Sequence, residues 1–305
     1  MKFLRLRKKE REEERLREIL RKVRKIDITT RKMVQEIFSG QYHSVFRGRG
    51  MEFSEVREYE PGDDVRTIDW NVTARMSKAY VKMFEEEREL TVLIAADMSR
   101  SSVFGTRNEI KREIAVEIAA LLAFSAIENS DLVGLLMFTD QVEKFISPKK
   151  GKSHALRIIR ELLAYEPTHK KTDIAEALQY LYRLLKRRSI IFVISDFLDE
   201  NIKKPLVLLS KKHDLIPIVI ADLAEQHFQR AGVVVLEDAE TGEVIAVDTS
   251  DSRVSESFLS TTKEELERQN KLFGSVGVEP VRITTDIDYI KALEIFFKKR
   301  AGKVL

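Results

Sequence analysis

Asp97, Ser99 and Ser101 set one carboxylate and two hydroxyls at alternate positions. They follow directly on an uncharged run, Leu90-Thr91-Val92-Leu93-Ile94-Ala95-Ala96. Oxygen-only donors suit a hard divalent cation such as Mg2+ or Mn2+. In an extended or loosely turned loop the three can face one way while Met98 and Arg100 point elsewhere. The run before them reads as a strand buried on both faces, as in a parallel sheet. Open α/β sheets bind ligands at the carboxyl ends of such strands.

The elements needed to position this loop follow in βα rhythm. A helix is expected from Thr106 to Ile127 and a strand over Leu132–Thr139. Val142–Ile146 reads as an edge strand ended by Pro148. Helices are predicted over Ser153–Leu163 and Asp173–Leu185, and buried strands over Ile190–Ser195 and Leu215–Ala221. Val233–Glu237 and Glu243–Val247 flank Glu240-Thr241-Gly242, a hairpin signal. A helix over Glu256–Phe273, a strand over Glu279–Ile283 and a helix over Tyr289–Lys299 close the chain. Lys149-Lys150-Gly151-Lys152 reads as a solvated turn, expected near the same sheet end as Asp97, where it could meet an acidic partner.

Asp97-x-Ser99-x-Ser101 resembles the metal-ion-dependent adhesion site of von Willebrand factor type A domains. In that family two later loops complete the site with a Thr and an Asp. Thr172, in Lys170-Lys171-Thr172-Asp173-Ile174, and Asp196, closing Ile190–Ser195, stand where the resemblance implies them. Phe197 departs from the small residue that the best-known members carry there. Glu52-Phe53, Tyr59 to Arg66, Ile68-Asp69-Trp70, Thr73-Ala74-Arg75, Tyr80-Val81-Lys82 and Glu86 are similar to the prokaryotic domain-of-unknown-function family fifty-eight. The likeness runs over roughly 27–300. It implies a von Willebrand-like, doubly wound, mostly parallel α/β sheet with a small β-rich inserted segment, and an accessory role beside AAA+ ATPases of the MoxR type. The expected organisation is a charged amphipathic helix at 1–25, a helical and β-rich subdomain at 26–89, and the sheet domain at 90–305 with its hairpin at 232–248. Within the insert, Arg57, Arg66, Asp69 and Arg75 read as a salt-bridged framework and Trp70 as packed core.

Asp97 and Asp196 offer two negative charges, so an ion held by Asp97, Ser99, Ser101, Thr172 and Asp196 stays electrophilic. An open position can then take an Asp or Glu of a protein partner. A bound cation can also activate water, which makes a metal-dependent hydrolase the alternative. Such an enzyme needs a base, and the five histidines show no H-E-x-x-H spacing. There is no G-x-S-x-G elbow and no phosphate-cradling glycine loop. His43, His154, His169, His213 and His227 read as surface or packing residues.

Cysteine is absent, which excludes disulfides, thiolate nucleophiles and cysteine metal sites and fits a cytoplasmic protein. No uncharged run reaches the roughly 18–20 residues that span a bilayer, and the first residues lack a signal segment. Residues 1–25 carry 12 Lys or Arg and 5 Glu, so the overall +3 belongs to this segment and the remainder is acidic. A basic amphipathic helix can touch an anionic membrane face or nucleic acid. The interspersed Glu argues against both, and the lack of interleaved aromatics argues further against nucleic acid.

Overall fold

The computed structural model describes residues 21, 23, 24, 26, 51–76, 78–86, 89–103, 111–169, 171–199, 201–222, 225, 231–237, 243–286 and 288–301. The charged helix expected at 1–25 and the helix around 29–38 fall outside them, except for helical Arg21, Val23, Arg24 and Ile26. Val23 and Ile26 are buried. The beginning of the helix after Ser101, the hairpin tip, His43 and His227 also lie outside. Two compact units are present, a small one over Phe46–Leu90 and a large one that includes Thr91–Leu305. No helix among the described residues is long and apolar enough to cross a membrane.

In the small unit, β1 (Met51–Glu58) pairs antiparallel with β2 (Tyr80–Glu86), with a bulge between Phe53 and Glu55. The turn between them is built from side-chain caps. Asp64 accepts from Arg66 N–H to start a 3-10 turn at Val65–Thr67, and Asp69 accepts from Asn71 and Val72 N–H to start a single helical turn at Trp70–Thr73. The expected salt-bridged framework is only partly formed. Arg57 donates to Asp63 at 2.6 Å and Asp69 sits 3.6 Å from Lys82, while Arg66 and Arg75 are exposed. Trp70 is not core: it is 69% exposed, because the Asp69 cap starts a helix of only one turn, too short to carry a buried stripe.

The large unit is built on a six-stranded sheet. Its strands are β3 (Thr91–Asp97), β4 (Leu132–Phe138), β5 (Val142–Lys149), β6 (Ile190–Ser195), β7 (Asp214–Ala221) and β10 (Val281–Thr284), in the order β10-β7-β6-β3-β4-β5. All pairs are parallel except β4 with β5. This is the doubly wound α/β arrangement expected from the run of apolar strands, and its strand order reverses between β3 and β6. Burial explains the composition of the strands. β3 and β6 are covered on both faces, so they read as continuous apolar runs.

One helical layer contains α1 (Lys111–Glu128), α2 (Lys152–Ala164) and α6 (Tyr289–Ala301); the other contains α3 (Ile174–Leu184), α4 (Lys203–Lys212) and α5 (Ser252–Val276). On the second side Leu93, Phe138, Ile191, Val193, Leu178, Leu206 and Phe273 form a single apolar cluster. α1 is buried nearly all round from Ala119 to Ala126, as befits a central helix. α3 starts at Asp173, which accepts from Glu176 N–H. α5 stops at Gly277, whose φ of 77° lets the chain turn left-handed. β8 (Val233–Glu237) and β9 (Val244–Asp248) form the expected hairpin as a separate two-stranded sheet.

Two edge details differ from the sequence reading. β5 does not end at Pro148 but runs to Lys149. On an edge strand the missing proline N–H breaks no ladder bond, and Gly134 makes room opposite: a Cβ there would lie 2.9 Å from Pro148 Cγ and from Ile146 O. Lys149 pairs with Val133, near the start of β4, so the lysine-rich turn lies at the sheet end opposite to Asp97.

Candidate functional site

β3 and β6 deliver Asp97 and Asp196 side by side at the point where the strand order reverses, so both line one open cleft. Ser101, Lys111 and Ser195 also line it, over apolar Ile194. Asp97 is held from two directions. Its Oδ1 accepts from Ser99 N–H at 2.9 Å, and its Oδ2 accepts from the Ser195 hydroxyl at 2.7 Å. The Ser99 and Ser101 hydroxyls are 3.0 Å apart, so the alternate spacing does put both on one side of the turn.

Electrostatics in the cleft are unbalanced. Asp97 is only 6% exposed. Burial first, and the Asp196 charge second, push its carboxyl up to about 6 against the bonds from Ser99 and Ser195. Lys111, 3% exposed, donates to Glu225 at 2.6 Å and lies 3.5 Å from Asp196 Oδ2. Burial opposes its charge, but Asp196 and Glu225 together raise the ammonium above its ordinary value.

The third loop reaches the same sheet end through its backbone. Asp173 N–H donates to Thr139 O, just past β4, and Ile174 N–H donates to Asp199 Oδ2 at 3.0 Å. Thr172 is half-buried on that loop and is not among the residues lining the cleft. Asp97, Ser101 and Asp196 therefore share the cleft, Ser99 is buried beside it, and Thr172 stands on the adjoining loop. The donor set consists of carboxylate and hydroxyl oxygens. That chemistry fits Mg2+ or Mn2+.

Phe197 explains how the Asp196 loop is shaped without a small residue. It adopts φ 56°, a conformation costly for a bulky side chain, and its fully buried ring packs edge-on against Phe273 at 5.3 Å. α5 clamps the same loop. Gln269 donates to the carbonyls of Asp196 at 3.0 Å and Phe197 at 3.4 Å, and Arg268 donates to those of Leu198 and Asp199.

Lys111, Glu225, Arg268 and Gln269 escaped the sequence reading. Lys111 left a faint signal, since it falls on the helical stripe with Ile114, Ile118 and Leu121 that the fold buries. Gln269 likewise precedes buried Phe273 by one turn. His154 and His213 are packing residues as expected, bonded to Val133 O and to Ser189 N–H.

Residues 55–268 match the model of the family described as Protein of unknown function DUF58. The chain belongs to that family. An uncharacterized protein of Mycobacterium tuberculosis is 28% identical over 281 residues, covering 91% of this chain and 88% of its own. Among solved structures, the DUF58 chain is similar to conserved hypothetical protein BatB from Bacteroides thetaiotaomicron, at TM-score 0.43 and 15% identity over 70% of this chain and 99% of that one. It is also similar to a von Willebrand factor type A protein from Catenulispora acidiphila, at TM-score 0.38 and 9% identity over 74% and 45% of the two chains. The doubly wound order itself rests on the strand pairing described above.

Proposed function

We propose that the chain is a non-catalytic protein-interaction module in which Asp97, Ser99, Ser101, Thr172 and Asp196 hold Mg2+ or Mn2+, directly or through water. The observation that supports this reading is the sharing of one cleft by Asp97 and Asp196 from adjacent strand ends. Asp97 and Asp196, with Glu225 beside them, outnumber the single ammonium of Lys111, which supports a further cation in the cleft. A bound ion would supply a Lewis-acidic centre with room for a further oxygen ligand. The chain's own groups prepare for it: Ser99 N–H and the Ser195 hydroxyl hold Asp97, and Gln269 holds the backbone at Asp196. The guest ligand is an Asp or Glu of a partner protein, for which exposed Arg100 adds favourable charge. A MoxR-type AAA+ ATPase is the partner that the family resemblance offers.

Calorimetric titration of the full chain with Mg2+ and with Mn2+, beside Asp97→Ala, tests the site. Binding to the native chain and at least tenfold weaker binding to the variant are expected. Equal binding by both would remove Asp97 from the site. Pull-down of a purified MoxR-type ATPase with and without chelator then tests the bridge. A complex retained equally well in chelator argues against the metal carrying it.

A further inference from the structure

We infer that Lys111 is a tethered cation that competes with the divalent ion for Asp196 and withdraws to Glu225 when the ion binds. The inference rests on the metal-site reading above and names how occupancy of that site is controlled.

Three observations carry it. Lys111 is almost fully buried yet lines the same cleft as Asp97, Ser101 and Asp196, so its ammonium stands beside the proposed metal donors. It is also shared unequally, at 2.6 Å from Glu225 Oε1 and 3.5 Å from Asp196 Oδ2. The closer contact anchors the charge, and the looser one can be surrendered by a small swing of a flexible stem.

Glu225, finally, is a fixed parking place that belongs to a different strand end. Its Oε2 accepts from Asp222 N–H at 2.9 Å, its carbonyl accepts from Thr262 at 3.3 Å, and Asp222 accepts from Thr285 at 2.7 Å. Asp222 follows β7 and Thr285 follows β10, so the lysine links the exit of β6 to the exits of two further strands. Like charges repel across a few ångströms, so a divalent ion on Asp196 drives the ammonium toward Glu225. Ion occupancy thereby becomes coupled to Asp222 and Glu225, which are not themselves ligands.

Titration calorimetry with Mg2+ on the full-length native chain, Lys111→Met and Glu225→Gln tests this, with thermal unfolding as the check on folding. Lys111→Met is expected to bind Mg2+ at least tenfold more tightly, because the competitor is gone and its length is kept. Glu225→Gln is expected to bind at least threefold more weakly, because the ammonium loses its charged alternative and stays on Asp196. A purely structural lysine would give weaker binding in both variants. Changes in the same direction, or no change in either while the native chain binds, overturn the inference and leave the metal site standing. Absence of Mg2+ binding in all three proteins overturns both. If Lys111→Met does not fold, unchanged or tighter binding by Glu225→Gln overturns the inference by itself.

Discussion

Phe197 carries two opposed demands in a single residue. Its left-handed backbone favours glycine, whereas its ring fills the core against Phe273. Removing the ring costs about 3–5 kcal/mol, as expected for a large buried aromatic truncated to alanine. Glycine leaves the same hole but relieves the backbone, so Phe197→Gly is expected to be about 0.5–1 kcal/mol less destabilising than Phe197→Ala. Urea unfolding of both variants measures the difference. Alanine equal to or better than glycine would show that the backbone carries no strain there. The aromatic residue that departs from the family pattern thus supplies core packing, and the loop retains the turn that a small residue would otherwise permit.

At the scale of elements, α5 acts as a brace for the Asp196 loop. Gln269 spends both ends of its amide in that role, donating to the loop carbonyls and accepting from Arg282 at 2.9 Å. Arg282 is itself half-buried, and burial holds its guanidinium below the ordinary value. Gln269→Met keeps the volume and removes the bonds, leaving polar groups of the loop and of β10 unsatisfied. A loss of about 1–3 kcal/mol is expected in chemical denaturation. A neutral Gln269→Met would mean that packing of Phe197 alone shapes the loop. The helix was recognisable in the sequence, but its bracing role was not, because Gln269 is 73 residues from the carbonyl it serves.

Across the whole molecule, the two ends of the sheet are specialised. The carboxyl ends gather Asp97, Asp196 and Asp222, while the opposite end holds His213, the Arg300–Asp214 ion pair and the lysine-rich turn. His213 is 3% exposed; its Nδ1 accepts from Ser189 N–H and its Nε2 finds no partner. Burial first, then the charges of Lys212 and Arg188, lower its pKa to about 4 from 6.5. Between these values the unfolded chain binds the proton and the folded chain does not. Global stability is therefore complete above pH 6.5 with respect to this group and declines as pH falls toward 4. The loss is on the order of 1–2 kcal/mol once solvent screening is allowed for. His213→Asn is expected to flatten this part of the acid limb of a melting-temperature profile. An unchanged profile would place the acid sensitivity elsewhere.

Strand identity, the βα rhythm and the Asp97-x-Ser99-x-Ser101 spacing were legible in the chain because a buried parallel strand must be apolar on both faces and hydroxyls two residues apart can face one way. Those are local consequences of side-chain period, and the order of the elements followed from them. The pairing of β3 with β6, which brings Asp196 beside Asp97 across 99 residues, left only a motif-level trace. Lys111, Glu225 and Gln269 left almost none. Their roles arise from charges and hydrogen bonds between segments remote in sequence, and burial by the folded sheet is what makes those interactions strong. Trp70 shows the same limit in reverse: an aromatic type suggests core, but only the cap at Asp69 and the shortness of its helical turn decided that it faces water.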